Sequence, residues 1–122
     1  MNQFCENVHK LEDEFKECQK VLNAIGDENG QHLLCVMMNM PIDGSRVVEI
    51  AEQTHLSRSA MSHHMQILKD AGIIKSRKEG TQVYYYFDPE DNEVEKFSKL
   101  AGDIIKIINM LPERNEEGVA VK

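Results

Sequence analysis

The chain has 122 residues, 41% of them apolar and 29% charged, which suits one globular domain with its own core and excludes a disordered polymer. No apolar run approaches the ~18 residues of a membrane-spanning helix, and Met1-Asn2-Gln3-Phe4-Cys5-Glu6 lacks the basic-then-apolar start of a signal peptide. A net charge of −7 argues, taken alone, against a polyanion partner, and three cysteines are too few and too odd for a secreted disulfide scaffold. These features predict a cytosolic protein with no membrane partner.

Phe4, Val8, Leu11, Phe15, Cys18, Leu22 and Ile25 step by four and three, which predicts one amphipathic helix over 4–25. Leu33, Leu34, Val36, Met37 and Met38 are apolar on every side, so a second helix there should be central and buried. Pro41 and Gly44 break it. Val47, Val48, Ile50 and Ala51 form a short third helix that ends near Thr54-His55. Ser57 then serves as the N-cap of a helix whose inner face is Met61, Met65 and Leu68, and Ala71-Gly72 stops it. The runs 73–78 and 81–87 are strand-like, with Glu79-Gly80 as the hairpin turn between them. Val94, Phe97, Ala101, Ile104, Ile108 and Leu111 mark a last helix closed by Pro112. Residues 1–112 thus make a single domain, and the polar stretch 113–122 is expected to fray.

The two end helices carry narrow apolar seams. Both could simply cover the core, but two seams exceed what one small core needs. A homodimer through the first and last helices is the preferred interpretation, with Leu11, Phe15, Phe97, Ile104 and Ile108 at the interface.

A short helix, a tight turn, a helix with a polar outer face and a basic β-hairpin together specify a winged helix-turn-helix, a mainly α fold with a β-hairpin wing. Ser57, Arg58, Ser59, Ser62, His63 and Gln66 lie at the start or on the outer side of the second of these helices. They are hydrogen-bonding side chains of the size that reads base edges in a major groove. Arg77 and Lys78 on the wing are placed to neutralise flanking phosphates of double-stranded DNA. Charge agrees locally. Residues 55–78 hold five basic side chains against one acid, whereas the rest of the chain holds nine against twenty. The bland alternative is a solvated helix beside a solvated hairpin. A winged-helix interaction module without DNA binding would show apolar or acidic residues on the outer face, and this chain does not. An enzyme fits worst, for there is no phosphate-binding glycine loop and no nucleophile with a placed base.

The run from Ile50 to Ile74, with Ser62-His63-His64-Met65 and Leu68 at its centre, resembles the arsenic-repressor (ArsR/SmtB) family of bacterial transcriptional repressors. The wing Ser76-Arg77-Lys78-Glu79-Gly80 followed by Val83-Tyr84-Tyr85 continues the likeness. The resemblance implies a homodimer, an inverted-repeat operator and an inducer that releases the DNA. It departs at Asn29-Gly30-Gln31, where the family has arginine and leucine. Gly30 should weaken that first helical turn by roughly 1 kcal/mol against alanine.

The same likeness allows the family's metal sites to be checked position by position. Its thiolate site would fall at Arg46 and Val48, and its terminal-helix site at Asp91, Glu93, Ile104 and Ile107. Isoleucine and valine offer no donor, so no metal and no cofactor is expected at those sites. Cys5 and His9, one turn apart, are half a site at most. His63 and His64 point about 100° apart on one helix and cannot share a metal; DNA contact or plain exposure is expected for both. Cys35 resembles the position of one reactive cysteine in the family's sulfide- and oxidant-sensing branch, and Cys18 is the available partner. Either the two form a thiol switch, or both are inert apolar residues, or an unrecognised ligand is the signal. The inducer is not named by the sequence.

Overall fold

The stripe from Phe4 to Ile25 folds as two helices rather than one. In the computed structural model, which describes residues 3–112, α1 spans Gln3–Glu17 and α2 spans Gln19–Ile25. The break falls at Cys18, whose backbone (φ −92°, ψ 1°) leaves the helical range while its N–H still donates to the Glu14 carbonyl. The reason lies in packing. Cys18 is fully buried, whereas α1 itself buries no residue completely and lies along the last helix. The bend lets α2 turn inward and place Val21 and Ala24 in the core.

Helix α3, Glu28–Met38, begins at Asp27, whose carboxylate accepts from the amides of Asn29 and Gly30. Gly30 proves to be an asset. It is buried, and a Cβ there would sit 2.6 Å from the carbonyl oxygen of Ala24, so only glycine lets α2 and α3 approach this closely. The expectation of a weakened turn therefore gives way to a close helix crossing. Nor is α3 buried all round. Leu33 and Met37 face the core, Leu34 and Val36 are half-buried, and Met38 is 67% exposed.

Helices α4 (Val47–Glu52) and α5 (Arg58–Asp70) follow, with Ile50 from one and Met61, Met65 and Leu68 from the other fully buried. Ala71 ends α5, and Gly72 takes the positive φ of 76° that lets the chain leave it. Ile73 and Ile74 are buried but precede the ladder, which runs from β1 (Lys75–Glu79) to β2 (Gln82–Tyr86). The two-residue turn is Gly80-Thr81, one place later than expected, with Gly80 at φ 61°. Helix α6, Val94–Met110, contributes the buried Leu100. The result is a mainly helical winged fold with one antiparallel hairpin. The expected fray at 113–122 lies outside the described residues.

Candidate nucleic-acid interface

Ser57 caps α5 as expected: its Oγ accepts from the Ala60 amide at 3.2 Å. From that fixed start, helical spacing divides α5 cleanly. Arg58, Ser59, Ser62, His63 and Gln66 are exposed, on the side away from Met61, Met65 and Leu68. The side chains of Arg58 and Ser62 form no hydrogen bond or ion pair with other described residues, and Gln66 donates to Asp70 at 2.8 Å. The first turn of α5 carries no acid, so nothing there repels an anion.

His64 departs from its neighbour. It is not an outer-face residue but turns inward, with Nε2 3.4 Å from Asn29 Nδ2 and Nδ1 3.6 Å from an Asp27 oxygen. It ties α5 to the start of α3. Spacing held the signal, since 61, 64, 65 and 68 lie on one helical face. A second tie is the ring contact of His32 on α3 with His55 in the turn before α5, centroids 5.3 Å apart. Sequence spacing alone could not have found that one.

The wing is less free than its composition suggests. Arg77 donates Nε–H to Glu79 at 3.0 Å and Nη1–H to the carbonyl of Asp43, and its guanidinium lies over the rings of Tyr84 (5.0 Å) and Tyr86 (5.7 Å). It is a strut between the hairpin and the α3–α4 loop as much as a cation. Lys78 is exposed, and its ammonium forms no hydrogen bond or ion pair with another described residue. Lys75 is held by Asp88 at 3.1 Å and Asp91 at 2.6 Å, which raise its ammonium's proton affinity and lower that of Asp88. The basic island thus shrinks: acids just beyond position 78 neutralise two of its members, and Arg58, Lys69 and Lys78 remain. Arg46 on the loop side donates to Glu49 at 3.0 Å and reaches Gln82 of the wing at 3.4 Å.

The end helices show which seam residues have partners. Leu11 and Ile104 pack against the chain's own core. Phe15 (40%), Phe97 (37%) and Ile108 (57%) stay exposed, joined by Ile105 (59%), which the sequence reading passed over. Helix α6 carries two apolar stripes. Leu100 and Ile104 are covered by the chain's own core, and Phe97, Ile105 and Ile108 stay exposed.

The two thiols are not brought together. Cys18 is buried, and burial pushes its thiol up, away from the reactive thiolate. Cys35 is exposed on the side of α3 away from Leu33 and Met37. Cys5 and His9 are both exposed on α1. Among the described residues, no three His, Cys, Asp or Glu side chains are grouped to hold a metal ion. No helix there is long and apolar enough to cross a membrane.

Residues 43–76, from the α3–α4 loop through α5 into β1, match the family model described as bacterial regulatory protein, arsR family. The chain is 31% identical over 93 residues to an uncharacterised helix-turn-helix transcriptional regulator of Methanocaldococcus jannaschii, covering 75% of this chain and 99% of that one. It is 31% identical over 65 residues to the transcriptional repressor SdpR of Bacillus subtilis, covering 53% of this chain and 69% of that one. Among solved structures, the transcriptional regulator HlyU from Vibrio vulnificus superposes with a TM-score of 0.56 at 30% identity, over 80% of this chain and 97% of that one.

Proposed function

This chain belongs to the arsR family of bacterial regulatory proteins, and on that premise we propose that it is a homodimeric repressor that reads an inverted-repeat operator through α5. The observation that carries the proposal is the outward row of α5. Arg58, Ser59, Ser62, His63 and Gln66 stand exposed beyond a capped helix start, while His64 and the buried methionines fix the helix from behind. Such a row offers donors and acceptors to base edges, and the chain would gain nothing in stability by ordering it otherwise. Lys78 meets a flanking phosphate, and Arg77 holds the wing at the height where Lys78 reaches it. Repression follows from occupancy of the operator, as the name of the B. subtilis relative suggests. The signal that releases DNA acts elsewhere than at the family's metal positions, because Val48, Ile104 and Ile107 supply no ligand there.

The test is binding of the full chain to DNA from upstream of its own gene, against random DNA of equal length. Ser62→Ala and His63→Ala should each weaken specific binding by about 1–3 kcal/mol and leave random binding nearly unchanged. Equal losses on both DNAs would make the row a backbone contact. No preference for the upstream DNA in the parent would favour a protein-interaction module instead.

A further inference from the structure

Between the end of α3, the loop after it and the inner side of β2 lies a cavity of about 340 Å³. Its walls include Met37, Met40, Ile42, Ser45, Tyr85 and Phe87, and no charged side chain lines it. That volume falls at the small end of sites that take organic ligands. Thioethers and aromatic rings suit a planar apolar body, because methionine adapts its shape and binds ring edges.

Ser45 supplies the second observation. It is 3% exposed, the buried polar residue of the described chain, and it lines this cavity. Its backbone is fully used, donating to the Tyr85 carbonyl at 2.9 Å and accepting from the Tyr85 amide at 2.8 Å. Its hydroxyl has no hydrogen-bond partner among the described residues. A ligand's polar group in the cavity can bond to that hydroxyl in place of water.

We propose that this cavity binds a small neutral aromatic molecule carrying one hydrogen-bonding group directed at Ser45, and that its occupancy loosens the wing. The second half rests on the DNA-binding reading above; the first does not. The coupling is mechanical. The Ser45–Tyr85 backbone pair that closes the cavity is also the bridge that joins the hairpin to the α3–α4 loop, beside the contact of Arg77 with Asp43. A molecule wedged against both walls presses on that bridge and shifts the wing away from where Lys78 meets DNA.

The probe is N-phenyl-1-naphthylamine, a neutral two-ring amine whose fluorescence rises in apolar surroundings, titrated onto the full chain without DNA. It should saturate at one molecule per chain. Met40→Trp, which fills the cavity, should weaken binding at least about tenfold, and Ser45→Ala roughly three- to tenfold through the lost hydrogen bond. Ile42→Trp, at a position 90% exposed, repeats the block where Met40→Trp fails to fold. Ile108→Glu should bind the probe like the parent; loss of binding there would assign the probe to the apolar face of α6 and overturn the site. Parent-like binding by folded Met40→Trp and Ile42→Trp overturns it as well. With upstream DNA present, the probe should weaken DNA binding by the parent and leave Met40→Trp unaffected. Saturable binding with no effect on DNA overturns the coupling while the site stands, and a parent that binds no DNA even without probe refutes the proposed function alone.

Discussion

The two faces that this molecule leaves to its surroundings differ in kind. The outer side of α5 exposes serine, histidine, arginine and glutamine, whereas the outer side of α6 exposes Phe97, Ile105 and Ile108. Water satisfies the first face completely, so its exposure costs nothing and demands no partner. The second face is different, because each of these isoleucines, more than half exposed, forgoes roughly 1–2 kcal/mol of burial. An exposed polar row therefore becomes informative only through its position after a capped turn and beside a wing. An exposed apolar row is informative by itself. On the proposed function, a second copy of the chain would cover the α6 face and bring a second α5 face into register on DNA.

The strongest way to break this contrast is to make the apolar face polar. Ile105→Glu with Ile108→Glu should convert a dimer to a monomer, with the shift read by sedimentation. Operator affinity should fall by more than about a hundredfold, because two α5 helices can no longer meet half-sites one turn apart. Ile104→Glu is the informative companion. Ile104 packs on the chain's own core, so this change should lower the melting temperature, whereas the double change at 105 and 108 should not. A monomeric parent, or a double variant that stays dimeric, would remove the distinction between the two stripes of α6.

A smaller effect sharpens the other face. Lys78→Ala should flatten the dependence of log affinity on log salt by about 1 unit, the mark of one lost phosphate contact. Arg77→Lys keeps the charge but loses the forked bonds to Glu79 and the Asp43 carbonyl and the stacking on Tyr84. It should weaken binding with the slope unchanged. If Arg77→Lys alters the slope as much as Lys78→Ala does, Arg77 is a phosphate ligand first and a strut second.

Much of this was legible in the sequence because α5 obeys purely local rules. Ser57 at the cap, Met61, Met65 and Leu68 at helical spacing, and Gly72 at the exit state the helix and its polar side without reference to anything distant. What escaped depends on partners remote along the chain. The bend at Cys18 follows from the different neighbours of α1 and α2, and Gly30 is explained only by the Ala24 carbonyl against it. The charge island looked stronger than it is because Glu79, Asp88 and Asp91 lie beyond its edge in sequence and beside it in space. On α6 the seam grouped Ile104 with Phe97 and Ile108, although Ile104 packs on the core and the other two stay exposed, and it left out the exposed Ile105.

The smallest expected effect tests whether the terminal-helix half also carries strain beneath its apolar face. Glu14 on α1 has its proton affinity raised by burial first and by the facing Asp103 of α6 next, with Glu17 adding and only Lys99, 3.9 Å away, opposing. Lys106 lies 4.0 Å from Asp103 and leaves Glu14 Oε2 buried without a partner. A carboxyl whose proton affinity is higher folded than unfolded contributes its stability below the unfolded-state range and loses it as pH rises through the folded value. At neutral pH the pair therefore opposes the packing of α1 on α6. Glu14→Gln, neutral and of the same shape, should raise the melting temperature at pH 7 by about 2 °C. The gap should close as pH falls and the parent's own carboxyl takes up its proton. The matching change on the other face, Gln66→Glu beside Asp70 on exposed α5, should leave the melting temperature within about 1 °C, because water screens that pair. A Glu14→Gln variant no more stable than the parent at pH 7 would mean that Lys99 already compensates the buried charge, and that both faces are equally relaxed.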